Sequence, residues 1–316
     1  MQGLQLAKAY FDAYGRTLIE GPLAPYQSVL AAGLVGEGSD CFGFDDAISQ
    51  DHDFGPGFCL WLPDALYQEV GRNLQAEYDR LPRTFMGYER MVSNYGGGRV
   101  GVMSLEGFYE RFTGLKYPPT DAMEWLRIPE DFLATATNGA VFYDPSGIFT
   151  AWRNHLLNFY PDDVMRKKLA AKCAVMAKSG QYNYPRCLKR GDVVAASFAC
   201  SEFIQAAFGA LYLLNGEYMP YYKWWVRGSE RFTVLREAVV KLQALAALAD
   251  TERDGLEKTA LIESVCADVA NYLCDWGYTN TREAFLQVQG EALMASIRDA
   301  RLKGLHILVD LSLIHI

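Results

Sequence analysis

The chain reads Gly36-Glu37-Gly38-Ser39 at the end of an apolar run and, eleven residues later, Asp51-His52-Asp53 at the start of another. The first run, Ser28 to Val35, predicts a central strand that ends in a tight turn. The second, Phe54 to Leu62, predicts a buried strand. Because alternate strand residues point the same way, we expect Asp51 and Asp53 to share one face, roughly 6 to 7 Å apart along the chain.

These residue types predict a site for a nucleoside triphosphate and a metal. The pair Gly38-Ser39 lets backbone amides and a hydroxyl approach phosphate closely, because glycine has no side chain in the way. The carboxylates of Asp51 and Asp53 are suited to hold Mg²⁺ or Mn²⁺ between them. Three more acids lie nearby, and no lysine or arginine occurs between Arg16 and Arg72, so a bound cation would relieve their repulsion. The three acids are Asp40, Asp45 and Asp46.

A phosphate-binding turn together with a metal-binding pair of acids indicates nucleotidyl transfer. This reaction usually uses a third carboxylate, which helps to place a second metal or takes a proton from the attacking group. Asp144 directly follows the predicted strand Gly139 to Tyr143, and Glu106 follows another predicted strand, Arg99 to Leu105. Asp144 also precedes Pro145, which is typical of a plain turn. We choose Asp144 as the third acid, with Glu106 as the alternative.

The order of elements predicts an α+β fold followed by helices. The first part alternates predicted strands with amphipathic helices, such as Leu4 to Ile19 and the helix that starts at Asp64. From Ile148 onward the periodicity is almost entirely helical. We therefore expect a mixed sheet with flanking helices over residues 1–150 and a helical bundle over 151–310. The ending Leu-Ser-Leu-Ile-His-Ile (311–316) looks like translated sequencing adapter, so a non-native tail is expected there.

Composition excludes several classes of protein. The net charge is -8, with 38 acidic and 30 basic residues, which argues against nonspecific nucleic-acid binding through a basic face. The seven cysteines form no CxxC pair, which is typical of reduced thiols in a cytoplasm. No leader peptide and no stretch of eighteen uninterrupted apolar residues is apparent. A cytoplasmic protein without a membrane span is expected.

Other nucleotide and metal motifs do not fit. Cys41 stands where a dinucleotide fingerprint needs its third glycine, and the chain contains no GxxxxGK[ST] string. The acidic loop lacks the central glycine and final glutamate of an EF-hand. His52 would face away from both aspartates, as a packed histidine rather than a ligand.

The helical half contains one unusual string, Pro220-Tyr221-Tyr222-Lys223-Trp224-Trp225. Its aromatic rings could support a nucleotide base, or they could simply pack between domains. The Lys223 ammonium is suited to reach a phosphate, so we include Lys223 with Gly38 and Ser39 as a candidate nucleotide-binding residue.

The spacing of Gly38-Ser39 and Asp51-His52-Asp53 resembles the signature of the polymerase-beta-like nucleotidyltransferase superfamily. The chain is more closely similar to a bacterial family within it that is known only as a domain of unknown function. That likeness extends over roughly residues 28 to 225 and includes the positions Gly43, Gly55-Pro56, Thr137, Asp144, Arg153, Tyr160 to Val164, Arg186, Gly191-Asp192, Pro220-Tyr221 and Lys223-Trp224.

The resemblance implies transfer of a nucleoside monophosphate from a nucleoside triphosphate to a small-molecule or protein acceptor. It implies that Gly38 and Ser39 contact the triphosphate, that Asp51 and Asp53 bind Mg²⁺, and that Asp144 is the third acid. The layout is similar to that of antibiotic nucleotidyltransferases, whose helical C-terminal domain holds the acceptor. Relatives often continue Gly-Pro-Arg where this chain has Gly55-Pro56-Gly57, which removes one basic residue. The alternative is a noncatalytic nucleotide-sensing or antitoxin-like module on the same fold.

Overall fold

The computed structural model describes residues 1–49, 54–90 and 98–309, except for the side chain of Glu252. The predicted metal ligands Asp51 and Asp53, together with His52, lie outside the described residues. The expected non-native tail, 311–316, lies outside them as well.

Four short strands form one mixed sheet in the order β5-β2-β1-β6. The strands are β1 (Ala31–Leu34), β2 (Cys59–Leu62), β5 (Gly101–Ser104) and β6 (Ala140–Tyr143), and a separate hairpin consists of β3 (Thr84–Phe85) and β4 (Tyr88–Glu89). The central strand β1 pairs antiparallel with both β2 and β6, whereas β5 runs parallel to β2.

Helices make up most of the rest of the described chain. In chain order they are α1 (Gly3–Tyr10), α2 (Arg16–Glu20), α3 (Ser39–Phe42), α4 (Asp64–Asp79), α5 (Leu105–Thr113), α6 (Ala122–Arg127), α7 (Glu130–Thr137), α8 (Ile148–Leu157), α9 (Asp162–Met176), α10 (Tyr184–Lys189), α11 (Val193–Leu214), α12 (Trp225–Ser229), α13 (Arg236–Ala247), α14 (Glu252–Asp275), α15 (Leu286–Ser296) and α16 (Ala300–Lys303). A π-helical turn, Phe11–Gly15, joins α1 to α2, and another, Ala177–Asn183, continues α9.

The chain divides into two compact units. The first unit comprises Met1–Pro119 and Asp131–Phe159, and it contains the sheet. The second unit comprises Thr120–Glu130 and the chain from Tyr160, and its described elements are helical. The chain therefore passes from the first unit into the second and back before it enters the second unit for good.

The strands β1 and β2 of the first unit's sheet are buried on both faces, which is why they are apolar runs without polar alternation. On one face, Leu60 and Leu62 of β2 belong to a buried cluster with Tyr10 and Phe11. On the other face, the Trp61 ring stacks on Phe149 of α8 with ring centroids 4.0 Å apart. The flanking helices thus hold the ends of the central strands in place.

The second unit packs around α9, which buries three lysines. Lys167 donates hydrogen bonds to the carbonyl oxygens of Ile307 and Val309. Lys168 and Lys172 lie 3.9 and 3.3 Å from Oε1 of the buried Glu130. Because an unpaired buried charge is costly, these contacts tie the helix to the segments that carry their partners.

Among the described residues, α11 is long and apolar enough to cross a membrane by length and composition. Half of its most apolar stretch is buried. The central helix of a globular core has the same composition, so this feature is weak evidence for a membrane span.

The structure confirms the α+β class and the four strands of the mixed sheet. It corrects the start of the second strand. We expected a strand from Phe54, but the described residues 54–58 are not in a strand, and β2 begins at Cys59. The sequence Gly55-Pro56-Gly57 explains the difference, since glycine weakens a strand and proline donates no ladder hydrogen bond. We had inferred that Asp51 and Asp53 share one face from a strand that continues without a break into β2. Because β2 begins only at Cys59, that inference loses its basis.

Candidate functional site

The turn after β1 is built on two glycines with positive φ. Gly36 has φ of 125° and Gly38 has φ of 116°, conformations that other residues rarely adopt. The Asn138 side chain brackets the first glycine, because its Oδ1 accepts from the Gly36 amide at 2.9 Å and its Nδ2 donates to the Gly36 carbonyl at 2.7 Å. A Cβ on Gly38 would lie 2.4 Å from an Arg99 nitrogen. The turn thus favours glycine at both positions for its conformation, and a Cβ at Gly38 would also displace the Arg99 side chain.

Ser39 begins α3 directly after this turn. Gly38 is exposed and Ser39 is half-buried, so the outer side of the turn is open to a ligand. Within the described ranges no residue hydrogen-bonds the Ser39 hydroxyl, although its backbone carbonyl accepts from the Phe44 amide at 2.9 Å. The hydroxyl therefore remains available as a donor or acceptor.

A buried ion pair supports the turn from beneath. The Arg99 guanidinium donates to Oδ1 of Asp40 and, through Nε, to the Glu37 carbonyl at 2.6 Å. The side chains of Arg99 and Asp40 are only 12% and 8% exposed. We expected a bound cation to relieve the repulsion among the acids of this loop. Arg99 neutralises one of them instead, since the fold brings this distant residue to Asp40.

The other two acids of the loop also have protein partners. Asp45 accepts a hydrogen bond from the Gly3 amide at 2.8 Å through Oδ2, while its buried Oδ1 has no hydrogen-bond partner in the described structure. Asp46 accepts from the amides of Ile48 and Ser49 at 3.0 and 2.9 Å. No group of three or more potential metal ligands occurs among residues 1–49, 54–90 and 98–309. Within these ranges, the acids of the loop serve to shape it.

Cys41 and Cys59, which lie near this turn, are not suited to act as nucleophiles. Burial raises the pKa of the Cys59 thiol to about 12. Burial, reinforced by the Asp40 carboxylate, also raises the pKa of Cys41 well above its usual range. Both side chains are therefore neutral thiols at physiological pH, and a neutral thiol is a poor nucleophile.

The register of the sheet decides which predicted residues meet at the turn. We call the end of the sheet where β1 runs into Gly36–Ser39 the turn end. Gly33 of β1 pairs with Cys59, the first residue of β2, so the chain enters β2 at the turn end. Residues 54–58, which lead into β2, thus approach the same end of the sheet as Gly38 and Ser39, and Asp53 precedes them in the sequence.

The same register separates Asp144 from the turn. Leu34 pairs with Ala140 and Ala32 pairs with Tyr143, so β6 starts at the turn end and finishes at the opposite end. Asp144 follows β6 there, and its Oδ2 accepts from the Thr150 amide at 2.8 Å in the first turn of α8. The structure therefore does not bring Asp144 to Gly38 and Ser39 as a third acid.

The alternative third acid is at the opposite end too. Glu106 follows β5, which runs parallel to β2 and away from the turn end. Its Oε2 accepts from the Asp64 amide at 2.7 Å at the start of α4. Both candidates stabilise helix starts, as acceptors commonly do for the orphan amides there.

A substitution tests this assignment of Asp144. Replacing Asp144 by alanine removes the acceptor for the Thr150 amide and should lower the free energy of unfolding by about 1 kcal/mol. Asp144→Asn, which keeps an acceptor oxygen, should cost less. Urea denaturation measures both effects. Any triphosphate turnover per folded molecule should be unchanged in both variants, and a loss of turnover in Asp144→Asn would restore Asp144 as a third acid.

Lys223 belongs to the second unit. It is exposed, and its ammonium lies 5.1 Å from the centroid of the neighbouring Trp224 ring, within the range of a cation–π contact. Tyr221 and Tyr222 beside it are 52% and 63% exposed. This group therefore presents aromatic surface and a cation on the second unit, and its role toward a nucleotide stays a prediction.

Sequence reasoning missed three residues that build the turn end. Asn138 brackets Gly36, Arg99 pairs with Asp40, and Arg90 lines a cavity beneath the chain that enters β2. Each reaches the site from more than thirty residues away in the sequence, so local periodicity gives no signal for it. A positive charge close to the start of a predicted strand, as at Arg99, was the one available hint.

Comparison with known proteins gives one match. A family model described as a domain of unknown function, DUF4037, matches residues 125–225, about a third of the chain. The matched segment includes Asp144 and Lys223 but neither the turn at Gly38-Ser39 nor Asp51 and Asp53. No curated protein and no solved structure matches the chain. Over residues 125–225, the chain is thus similar to this family.

Proposed function

We propose that the chain is a metal-dependent nucleotidyltransferase, which moves a nucleoside monophosphate from a nucleoside triphosphate to an acceptor. One observation carries the proposal. A glycine turn, followed by the half-buried Ser39, lies at the same end of the sheet as residues 54–58, which enter β2 and directly follow Asp51-His52-Asp53 in the sequence. Phosphate-contacting turns and metal-binding acids must lie close together for this chemistry.

The Gly38 amide and the Ser39 hydroxyl would hold the phosphates of the nucleotide. Gly38 leaves its backbone accessible, and the Arg99–Asp40 pair keeps the turn in one conformation before ligand binds. Such preorganisation favours binding, because less conformational freedom is lost when the ligand arrives. Asp51 and Asp53 would hold Mg²⁺ or Mn²⁺, since paired carboxylates are the ligands these hard cations prefer.

The reaction would be a displacement at the α-phosphorus. An acceptor hydroxyl or amine loses its proton to water and forms a new bond to the α-phosphorus, while the bond from the α-phosphorus to the oxygen that bridges to the β-phosphate breaks and pyrophosphate leaves. The metal would neutralise the charge that grows on the phosphate oxygens. The turn would contribute positioning.

A noncatalytic nucleotide-sensing or antitoxin-like module is the second candidate, and a specific observation favours it. Neither Asp144 nor Glu106 reaches the turn end, so the described residues supply no third carboxylate there from β5 or β6. Without a third carboxylate to act as a base or to help place a second metal ion, such a turn would bind nucleotide and release it unchanged.

The proposal is tested by incubating the purified protein with each of the four ribonucleoside triphosphates and measuring the release of pyrophosphate. Pyrophosphate release in Mg²⁺ or Mn²⁺, stimulated by a hydroxyl or amine acceptor and abolished by EDTA, is the expected result. Calorimetric titration of the same triphosphates measures binding separately. Binding without release in every acceptor mixture would favour the noncatalytic module, and absence of binding in both metals would overturn both candidates.

A further inference from the structure

The first unit contains a cavity of about 180 Å³ next to the turn end. Among its lining residues are Asp40 and Arg99 of the buried ion pair, Gly55–Gly57 of the chain that enters β2, and the end of α4. Its volume is well above the ~10–15 Å³ that one water molecule needs. The charged residues that line it are Asp40, Asp79, Arg83, Arg90 and Arg99.

Among the described residues, the hydrogen-bond partners of the Arg90 side chain are neutral groups. Its Nε donates to the Pro56 carbonyl at 2.7 Å, and its Nη2 donates to the Tyr10 hydroxyl at 2.9 Å. The guanidinium carbon lies 4.9 Å from the centroid of the Tyr78 ring. A guanidinium has five N–H donors, so three remain, and in the described chain no carboxylate pairs with Arg90. A half-buried arginine fixed without an acid partner is preorganised to bind an anion.

Arg83 adds a second such charge to the cavity lining. Its side chain is exposed, and residues 1–49, 54–90 and 98–309 provide it with no ion pair. The third arginine, Arg99, is ion-paired with Asp40, and the remaining acid, Asp79, accepts a hydrogen bond from a glutamine. The charged lining residues are therefore three arginines and two aspartates, and the two arginines that have no acid partner among the described residues both line this cavity.

We propose that this cavity binds a phosphate-type oxyanion, with Arg83 and Arg90 as its ligands. Planar guanidinium groups match two oxygens of a phosphate at once, which is why arginine is favoured at such sites. The cavity shares Asp40 and Arg99 with the underside of the turn, so it is placed to take the terminal phosphates of a triphosphate held at Gly38 and Ser39. The assignment of the bound oxyanion to a nucleoside triphosphate rests on the proposed function, whereas the oxyanion site itself rests on the cavity and its arginines.

Calorimetric titration of the full-length protein with inorganic pyrophosphate and with inorganic phosphate, in EDTA, tests the site without metal. We expect Arg83→Gln to weaken pyrophosphate binding roughly tenfold or more, because a charge-assisted contact is lost. Arg90→Lys keeps the charge but removes the planar fork, so a loss of similar size is expected. Arg83 is exposed, so its variant is expected to fold even if Arg90→Lys does not.

Arg80→Gln is the matched control. Arg80 lies just beyond α4, is exposed, and pairs with Glu77 at 2.7 Å rather than lining the cavity. Pyrophosphate affinity in this variant should be unchanged. A loss as large as that of Arg83→Gln, or no pyrophosphate binding by the unmodified chain at millimolar concentration, would overturn the oxyanion site.

Two further outcomes separate this site from the proposed function. If Arg83→Gln weakens pyrophosphate binding while the unmodified chain transfers no nucleotide, the oxyanion site stands and the transferase proposal fails. If transfer occurs and Arg83→Gln leaves the KM for triphosphate unchanged while weakening pyrophosphate binding, the site binds a free anion, and the assignment to the triphosphate tail is overturned.

Discussion

Asp51→Asn should reduce pyrophosphate release in Mg²⁺ roughly a thousandfold, and Asp53→Asn should do the same. Each amide keeps the shape of the side chain but removes the negative charge that holds the cation. Loss of metal stabilisation costs several kcal/mol in the transition state, and each ~1.4 kcal/mol is a factor of ten in rate. Initial rates of pyrophosphate release at saturating triphosphate measure the effect.

Asp12→Asn is the control for this pair, because Asp12 is an exposed acid of the first unit that pairs with Lys8 and Arg16 in the N-terminal helical segment. It changes net charge by the same amount and should leave the rate unaltered. Retention of more than a tenth of the rate in either Asp51→Asn or Asp53→Asn would contradict the metal-binding role of that residue.

Arg99→Met should lower the free energy of unfolding by about 3–5 kcal/mol, because it leaves the Asp40 carboxylate buried without its partner. The substitution also removes the hydrogen bond from Nε to the Glu37 carbonyl, so the turn loses its support. Urea titration measures the global effect. Since the two units need not unfold together, amide hydrogen exchange in β1 and β2 should report the loss in the first unit.

The neighbouring ion pair provides the comparison. Arg111 pairs with Glu37 at 2.6 Å, but both side chains are about half exposed. Arg111→Met should therefore change stability by only about 0–1 kcal/mol. Adding Asp40→Asn to Arg99→Met should recover part of the lost stability, because a neutral amide costs less to bury than a carboxylate. Equal losses in Arg99→Met and Arg111→Met would show that burial of the Arg99–Asp40 pair is not the cause.

The sequence predicted the strands better than their ends. β1, β2, β5 and β6 are short apolar runs, of which β1 and β2 are buried throughout, so composition alone marks them. The beginning of β2 depends on Gly55-Pro56-Gly57, because glycine weakens a strand and proline donates no hydrogen bond to it. Our prediction gave more weight to the apolar residues on either side and therefore began the strand too early. Helices α6 and α7 were missed because they are short and prolines interrupt the pattern, with Pro118 and Pro119 before α6 and Pro129 between α6 and α7.

The site was predictable only where it is local in sequence. Gly38 and Ser39 follow β1 directly, and their positive-φ glycine turn agrees with the pattern. Asp144 and Glu106 were correctly placed after strands, but a sequence does not show in which direction a strand runs beside its neighbour. Strand direction puts both at the far end of the sheet. Arg90 and Arg99 reach the cavity through tertiary contacts alone, which periodicity does not encode.

Because Thr120–Glu130 belongs to the second unit, no single cut in the chain separates the two units. A fragment that stops at residue 119 would lack β6, so its central strand would keep one unsatisfied side. A fragment that stops at residue 159 would retain β6 but would also carry Trp125, Leu126 and Ile128, which the intact chain buries. Separate expression of either half therefore invites aggregation, and a successful split would instead excise 120–130 and join its flanks with a short flexible linker.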